Sequence, residues 1–537
     1  MNTPSTTPTQ RPDSPPASQT GSIIPVPRGG VTALSVHAFL AILVGLALRL
    51  LFVFRFPASA GDSEIYLQLA RNWADHHVYG LWQNGHLVPT DLRTPGYPAF
   101  LAGVALFFGR STLAILLSQA VLDAVTCILT AALAAALAPS QARRRIALAA
   151  IWLIATCPFV ANYSAVVLTE TFVTFLTTAA LLCFTLGLSR TGFSLSGFSS
   201  DFRPPRPNAN PDRLKPVLLS PSGFAVLGAF LTGLATLVRP EMPLLLAIAI
   251  VVYAARGWYG QGARKTLLLT AAMAGAFVLP LLPWAARNLI TLKRIQFLAP
   301  RYATLPGEYA PVGYFSWTKT WLVRYRDVYL SVWKIGEEPV EIDDIPASAF
   351  DSPEEKERIT HLIEEYNDSA DLDISPELDH KFAEIARERT QRHPLRTYFR
   401  VPFERALTIW FTPRTELLPI DGKFWPLREQ WEDSQADVLI TGGFAVLGYL
   451  YVALAAVGIW FAWRKASQEA VPGSLAGVNL WGIGLFLAYF VVRTAFLTTV
   501  EAPEPRYVIS CYPAVLALVS LLGIRNVSRE NPNQAAS

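Results

Sequence analysis

Long apolar runs constrain this chain more than any other feature of its sequence. Ten of them alternate with polar segments, at 33–56, 112–138, 146–162, 168–188, 221–238, 242–256, 266–290, 437–463, 475–499 and 507–524. A helix needs about 20 predominantly apolar residues to cross a bilayer, and several of the runs reach this length. The composition agrees, because 52% of the 537 residues are hydrophobic and only 16% are charged; soluble domains have roughly 25% charged residues. The sequence therefore predicts an all-α polytopic membrane protein.

One further apolar run, 98–108, is too short to span a bilayer. We interpret it as an interfacial half-helix that returns to the side from which it started. With the N-terminus inside, this assignment places Arg143-Arg144-Arg145, the basic stretch from Arg190 to Lys215, and Arg464-Lys465 inside as well. Arginine and lysine accumulate in cytoplasmic loops. The charge distribution thus favours about ten transmembrane helices plus interfacial half-helices.

The polar segments divide the chain into five predicted regions. Residues 1–30 are read as a disordered cytoplasmic tail, because they are rich in Ser, Thr, Pro and Gln. Residues 31–290 form an N-terminal transmembrane catalytic module, whose first exterior loop is 57–97. Residues 291–436 form a small exterior domain or large loop, with helices predicted from Glu354 to Tyr366 and from Phe382 to Arg389. The C-terminal transmembrane helices occupy 437–525, and 526–537 is a second cytoplasmic tail.

Cysteine and histidine give no sign of a metal centre or a disulfide framework. The four cysteines lie in apolar runs, and neither they nor the seven histidines show the spacing of metal ligands. A divalent metal is therefore not indicated, and no cofactor is predicted with certainty. The net charge of +4 is spread over separate loops, so the sequence does not predict a nucleic-acid partner.

Charged residues gather on the exterior side of the predicted topology. They follow or join the ends of the apolar runs, and they include Asp62, Glu64, Arg93, Glu170, Arg239, Glu241, Arg287, Glu504 and Arg506. Ionisable residues at the membrane are costly and usually line a polar cavity or pair with one another. Solvated loop ends explain any single one of these residues, but a lined cavity explains the whole set better.

Two carboxylates stand out within this set. If residues 62–73 are helical, Asp62 shares a face with Tyr66 and Leu69, whereas Glu64 points elsewhere. Glu170 begins an apolar run, where an unpaired carboxylate is costly. Asp62 and Glu170 are therefore the preferred acidic pair, and both are predicted to be catalytic.

The order and spacing of the short motifs resemble those of GT-C membrane glycosyltransferases over residues 35–520. The motifs are Gly61-Asp62-Ser63 with Tyr66, Arg93-Thr94-Pro95-Gly96-Tyr97-Pro98, Thr169-Glu170, Arg239-Pro240-Glu241, Pro283-Trp284 with Arg287-Asn288, and Glu504-Pro505-Arg506-Tyr507. The groups most similar are bacterial relatives of protein O-mannosyltransferases, the lipid A aminoarabinose transferase and rhizobial galacturonosyltransferases.

This resemblance implies transfer of a sugar from a polyprenyl-phosphate carrier to a lipid, glycan or protein acceptor. It implies a cell membrane location with the active site on the exterior, periplasmic side. Asp62 occupies the position of the base, and Glu170 matches a second acidic residue. Arginine suits phosphate because its guanidinium is planar and permanently charged. The predicted substrate- and phosphate-binding residues are Arg506 first, then Arg93, Arg239 and Arg287, with Tyr66, Glu241 and Tyr507 beside them.

Two other functions compete with glycosyl transfer. A transporter or flippase of lipid-linked sugars would favour charges at the middle of the membrane and paired repeats. Here the charges lie at one face and no repeat is evident. A non-catalytic envelope assembly protein would use 291–436 as a binding module, but it leaves the residues around Asp62 and Glu170 unexplained.

Overall fold

The computed structural model describes residues 29–189, 219–260, 262–302, 304, 308–468 and 477–526. The predicted cytoplasmic tails and the basic stretch from Arg190 to Lys215 fall almost entirely outside these ranges. Within them the fold is α-helical, with one small β-hairpin.

The α-helices follow the predicted apolar runs closely. In chain order they are Gly29–Arg55, Gly61–His76, Gly96–Phe108, Thr112–Leu137, Arg143–Ala155, Pro158–Ala161, Glu170–Gly187, Pro221–Thr236, Pro243–Gly260, Ala263–Val278, Leu282–Leu292, Val312–Thr318, Tyr325–Asp327, Pro353–Asn367, Pro376–Arg392, Val401–Phe411, Leu427–Asp433, Gln435–Gln468, Leu480–Leu497 and Tyr512–Ser520. Short 3₁₀ segments are Asn162–Ala165, Leu279–Leu281, Ile342–Asp344, Ala347–Ala349, Pro505–Cys511 and Leu521–Asn526, and Val328–Val332 and Arg396–Arg400 are π-helical.

Seven helices of the described ranges are long and apolar enough to cross a membrane. The number rises to eight if Arg143–Ala155 and Pro158–Ala165, which meet at a bend of 52°, form one broken span. Two more of the ten predicted spans are present as shorter apolar helices, Pro221–Thr236 and Pro243–Trp258. The prediction of a polytopic α-helical membrane protein is therefore confirmed, although these two helices reach less than a full bilayer thickness.

The predicted half-helix is the 13-residue helix Gly96–Phe108. Its start is fixed against another loop, because the backbone N–H of Gly96 donates to the carbonyl of Leu237 at 2.6 Å. A Cβ atom at position 96 would lie 2.5 Å from that oxygen, so only glycine allows this approach. The contact brings the segment after Arg93 beside the segment before Arg239.

A β-hairpin precedes this half-helix. Gly80–Gln83 pairs antiparallel with His86–Pro89, with Gly80 opposite Pro89 and Gln83 opposite His86. Asn84 and Gly85 both have positive φ, 49° and 76°. This is the conformation that a tight two-residue hairpin turn requires, and Asn-Gly is its preferred sequence.

The last membrane segment lies at the centre of the helical assembly. An 18-residue apolar window of Pro505–Ile524 is 83% buried inside the protein, against 22% for the window of Gln435–Gln468 and 17% for that of Ala263–Leu292. A helix that is apolar all round and surrounded by other helices belongs in the interior. The central segment therefore presents its N-terminal end, with Arg506 and Tyr507, to the loops that surround it.

A second hydrophobic core lies between residues 312 and 392. It is formed largely by aromatic and branched side chains, among them Tyr314, Trp317, Trp321, Ile359, Ile363, Tyr366 and Phe382. The two predicted helices of this region are present as Pro353–Asn367 and Pro376–Arg392. The region therefore packs around a hydrophobic core of its own. The location of the region outside the membrane stays a prediction.

Candidate active site

Asp62 lies in the first turn of the helix Gly61–His76, where a carboxylate is favoured by the helix dipole. Both of its oxygens accept hydrogen bonds from arginine. The Arg93 guanidinium donates to Oδ1 at 2.8 Å, and the Arg506 guanidinium donates to Oδ2 at 3.1 Å. The predicted base is therefore bound between two predicted phosphate ligands.

Glu170 is the first residue of the helix Glu170–Gly187, and its side chain is only 2% exposed. Its Oε1 accepts a hydrogen bond from Arg239 and lies 3.8 Å from Nε of Arg506. Its Oε2 is buried without a hydrogen-bond partner among the residues described. Arg239 is further fixed by donation from its Nε to the hydroxyl of Thr169 at 3.1 Å.

Arg506 is the central cation of the site. Its Nε lies 2.5 Å from Oε2 of Glu504, within the same short segment of chain. The hydroxyl of Tyr507 donates to Oε1 of Glu504 at 2.6 Å, and the Arg239 guanidinium lies 4.7 Å from the centre of the Tyr507 ring. The segment 504–507 therefore links the groups around Asp62 to those around Glu170.

A deeper ion pair completes the arrangement. Arg493, in the span Leu480–Leu497, donates to Oε1 of Glu241 at 3.1 Å and to the carbonyl of Tyr507 at 2.9 Å. Its side chain is only 2% exposed. The sequence interpretation missed this residue, although an arginine inside an apolar span is itself a signal of a buried polar site.

Four carboxylates and four arginines thus form one network, which we call the charged cluster. Its members are Asp62, Glu170, Glu241, Glu504, Arg93, Arg239, Arg493 and Arg506. The formal charges balance. Burial of ions is tolerated when they are paired and hydrogen-bonded, so the balance explains how so many charges coexist here.

The environment moves two carboxyl groups of the cluster in opposite directions. Burial alone would raise the pKa of Asp62, but Arg93 and Arg506 outweigh it, and the pKa of Asp62 lies below its usual range. Burial raises the pKa of Glu504 above its usual range, with Arg506 and Tyr507 opposing it only in part. Asp62 is therefore the stronger acid of the two and stays ionised at neutral pH.

Tyr66 lies beneath the charged cluster on the face of the helix shared with Asp62. Burial, together with the nearby Asp62 carboxylate, raises the pKa of Tyr66 to about 12. Its ring contacts the edge of Tyr97, with ring centres 5.1 Å apart. Tyr66 therefore stays neutral, and its role in binding the substrate stays a prediction.

Two charged residues near the site lie outside the cluster. Arg287 donates to the carbonyls of Thr90 at 2.9 Å and Tyr79 at 2.5 Å, so it holds the hairpin region in place. Glu64 is exposed and approaches Arg71 at 3.8 Å. Helical geometry had already predicted that Glu64 points away from the helix face that carries Asp62.

Glu416 was not singled out from the sequence, yet it borders the site. It follows the helix Val401–Phe411 in the chain, and its Oε1 accepts a hydrogen bond from the hydroxyl of Tyr163 at 2.6 Å. Nothing in the local sequence identifies it, because only the fold brings it beside a residue 253 positions away.

The carboxylates of the site are engaged by arginine rather than grouped on their own. Among the residues that the structure describes, no set of three or more histidine, cysteine, aspartate or glutamate side chains could hold a metal ion. All four cysteines are buried and unpaired with one another. The arrangement can instead bind an anion through its guanidinium groups and accept a proton at a carboxylate.

No family model and no curated protein matches this chain. Among solved structures, it is similar to the Archaeoglobus fulgidus oligosaccharyltransferase in complex with Zn and sulfate, with 16% identity, a TM-score of 0.43, and coverage of 92% of this chain and 49% of that chain. It is also similar to AglB of the same organism in complex with an inhibitory peptide and a dolichol-phosphate, with 13% identity, a TM-score of 0.45, and coverage of 93% and 50%.

A third similar structure is ArnT from Cupriavidus metallidurans bound to undecaprenyl phosphate, with 12% identity, a TM-score of 0.35, and coverage of 93% of this chain and 78% of that chain. The chain spans about half the length of the archaeal oligosaccharyltransferases. All three structures are GT-C glycosyltransferases, the class that the motifs of this chain resemble. At these identities and TM-scores, the similarity assigns no activity, donor or acceptor to this chain.

Proposed function

We propose that this protein is a membrane glycosyltransferase that moves a sugar from a polyprenyl-phosphate carrier to a lipid, glycan or protein acceptor. The observation that carries the proposal is the sharing of the Asp62 carboxylate between Arg93 and Arg506. The two guanidinium groups converge from loops distant in sequence on a half-buried site. Paired arginines recognise phosphate oxygens, and a carboxylate beside them can act as a base.

The donor phosphate is proposed to bind at Arg506 and Arg93, with Arg239 behind them. In the structure their guanidinium groups are bound to carboxylates of the charged cluster. An incoming phosphate therefore competes with Asp62 for the same donors. As the phosphate takes a share of these hydrogen bonds, the cations lower the pKa of Asp62 less strongly, and Asp62 becomes a stronger base.

The proposed reaction is a direct displacement at the anomeric carbon of the sugar. The acceptor oxygen forms a bond to this carbon as the bond from the carbon to the phosphate oxygen breaks. The proton of the acceptor hydroxyl passes to Asp62, and the polyprenyl phosphate leaves with the bonding electron pair. Arg506 stabilises the negative charge that develops on the leaving phosphate. One displacement inverts the configuration of the sugar.

Glu170 is proposed to position the arginines that surround the reacting atoms. It holds Arg239 and lies beside Arg506, and its buried Oε2 has no hydrogen-bond partner among the residues described. The exterior face of the cell membrane is the proposed location of the reaction. Its support is the distribution of basic residues in the sequence, which leaves the charged cluster on the side opposite the basic loops.

The test compares Asp62→Asn with Glu64→Gln, a matched control on the same helix whose carboxylate is exposed. Membranes containing each full-length variant receive a labelled polyprenyl-phosphate sugar, and products are separated by extraction and chromatography. Loss of a positioned general base lowers the rate by about 10²- to 10⁴-fold. We expect Asp62→Asn to show this loss and Glu64→Gln to retain wild-type transfer.

Equal transfer by both variants would remove Asp62 from the mechanism. The same experiment separates the alternatives, because a flippase moves the labelled lipid between leaflets without changing its chemical identity. Absence of any labelled product with the wild-type protein, across lipid, glycan and protein fractions, would overturn the proposed glycosyl transfer.

A further inference from the structure

Arg493 lies inside the apolar span Leu480–Leu497, and its two terminal nitrogens have different partners. Nη2 donates both to Oε1 of Glu241 at 3.1 Å and to the carbonyl of Tyr507 at 2.9 Å. Nη1 donates to the hydroxyl of Tyr489 at 3.0 Å, one turn earlier in the same span. One end of the guanidinium is therefore fixed to the span, and the other end is bound to two segments outside it.

The two segments bound by Nη2 carry arginines that are assigned to the donor phosphate. Glu241 is two residues after Arg239, and Tyr507 directly follows Arg506. The guanidinium groups of Arg239 and Arg506 both lie over the Tyr507 ring, at 4.7 Å and 5.6 Å from its centre. Arg493 therefore connects the two segments at a second point, through the Glu241 side chain and the Tyr507 backbone.

The contacts of Arg493 are with the protein. Within the described part of the chain its hydrogen bonds go to Glu241, the Tyr507 carbonyl, Tyr489 and the sulfur of Met242, the last at 3.6 Å. Its side chain is only 2% exposed. A side chain that is buried and bound in this way holds other residues in place, and it does not touch the substrate.

We propose that Arg493 is a positioning residue of the glycosyl transfer, which orients Arg506 and Arg239 for the donor phosphate. This inference rests on the proposed function and adds to it a residue outside the phosphate site. Stabilisation of a developing charge depends on donors that are already oriented, and a displacement of about 1 Å can lower a rate about 10²-fold. Loss of the bridge at Nη2 frees the two segments to move by this amount.

The test compares Arg493→Lys with Arg49→Lys. Lysine keeps the positive charge, but it lacks the planar fork with which a guanidinium binds several acceptors. Arg49 is completely buried and donates to Asp123 at 2.8 Å. Its hydrogen bonds within the described residues do not reach the charged cluster. Both substitutions weaken a buried ion pair, but only Arg493→Lys removes the bridge between the segments of Arg239 and Arg506.

Each substitution is made in the wild-type chain and in an Arg506→Lys chain, and transfer from a labelled polyprenyl-phosphate sugar is measured with full-length protein. We expect Arg493→Lys to lower kcat and kcat/KM equally, about 10²-fold, which is the pattern of an interaction made in the transition state. In the Arg506→Lys chain its further effect should be much smaller, because residues that act as a unit are not additive. Arg49→Lys should lower thermal stability and leave the kcat of folded protein unchanged.

A second cycle measures binding without turnover. Undecaprenyl phosphate is a leaving group of the proposed reaction, so it carries the charge that develops on the phosphate. Its affinity for the protein in lipid nanodiscs should fall about tenfold in Arg493→Lys, the scale of one hydrogen bond to a charged group, and much less when Arg506→Lys is already present. Tyr489→Phe removes the partner of Nη1 and serves if Arg493→Lys does not fold. It should shift kcat and affinity in the same direction by a smaller factor.

Additive effects of Arg493→Lys and Arg506→Lys in both cycles would overturn the proposal. So would a loss of stability in Arg493→Lys with the wild-type kcat in folded protein, because a purely structural arginine gives that result. Failure of the proposed function has a different signature, since the wild-type protein would then transfer no label while the binding cycle remained non-additive.

Discussion

Replacement of Glu170 by glutamine tests whether the charged cluster is held together by its ion pairs. Glu170 is 2% exposed, and its partner Arg239 is 14% exposed. Glutamine keeps the shape of the side chain and one oxygen, but it removes the negative charge. The substitution leaves four arginines facing three carboxylates, so it disturbs the balance rather than the packing.

The expected cost follows from the surroundings of the pair. Removal of one partner from a buried ion pair costs about 3–5 kcal/mol. Arg239 retains three other contacts here, the hydroxyl of Thr169 at 3.1 Å, a carboxylate oxygen of Glu241 at 3.9 Å and the ring of Tyr507 at 4.7 Å. The glutamine oxygen can also accept one hydrogen bond. We therefore expect a cost at or below the lower end of this range, about 2–3 kcal/mol in the free energy of unfolding.

The assay is SDS-induced unfolding of the purified full-length protein in mixed micelles. Thr171→Val is the matched control, since Thr171 follows Glu170 in the same helix and is buried with its hydroxyl unpartnered. Replacement of such a hydroxyl by a methyl group of the same shape should change stability by less than about 0.5 kcal/mol. Arg239→Gln and the double variant complete a double-mutant cycle.

The cycle separates an ion pair from two independent polar contacts. A coupled pair gives a double variant less destabilised than the sum of the single variants, by about 0.5–3 kcal/mol. Strict additivity, or a cost of Glu170→Gln no greater than that of Thr171→Val, would refute the view that the pair stabilises the site.

Three further substitutions probe neighbouring parts of the site. Arg93→Gln should raise the pKa of Asp62 and move the acid limb of the kcat/KM profile to higher pH, and an unmoved limb contradicts this coupling. In the wild-type protein, the contribution of Asp62 to stability is complete above its unfolded pKa of about 3.9. This contribution is lost as the pH falls through the depressed pKa of Asp62 in the folded state. Arg287→Gln should lower thermal stability while undecaprenyl phosphate affinity falls less than twofold, since Arg287 binds two backbone carbonyls; a larger loss of affinity assigns it to the phosphate site. Glu501→Gln removes the carboxylate that accepts a hydrogen bond from Lys319 at 2.5 Å, and it should lower kcat by loosening the adjoining loop. Amide hydrogen exchange of residues 498–506 should therefore become faster, and unchanged exchange refutes this explanation.

The sequence was most informative where the membrane dictates the structure. Predicted runs 33–56 and 168–188 correspond to helices Gly29–Arg55 and Glu170–Gly187, because a bilayer requires continuous apolar helices of limited length. The hairpin at Gly80–Gln83 was not predicted, although Asn84-Gly85 is a strong local turn signal. The loop is short and polar and has no hydropathy pattern that marks strands, so the turn signal alone did not predict a hairpin.

The site was predictable as a set of residues but not as a set of contacts. Topology grouped Asp62, Glu170 and Arg506 on one face, and the structure brings all three together. The pairing of Asp62 with Arg506 joins positions 444 residues apart, and no local rule fixes such a partner. Arg493 was not predicted as a site residue, because the mean hydropathy of a span conceals a single charged residue.

Backbone contacts explain how the charged cluster keeps its geometry. The N–H of Gly96 binds the carbonyl of Leu237, and the guanidinium of Arg287 binds that of Tyr79. Arg405 donates to the carbonyl of Thr498 at 3.0 Å, just before the segment that carries Arg506. These contacts lie outside the cluster and do not depend on its charges. Because they fix the loops from which the cluster is built, the arginines are oriented before substrate binds, and little reorganisation is needed when negative charge develops on a leaving phosphate.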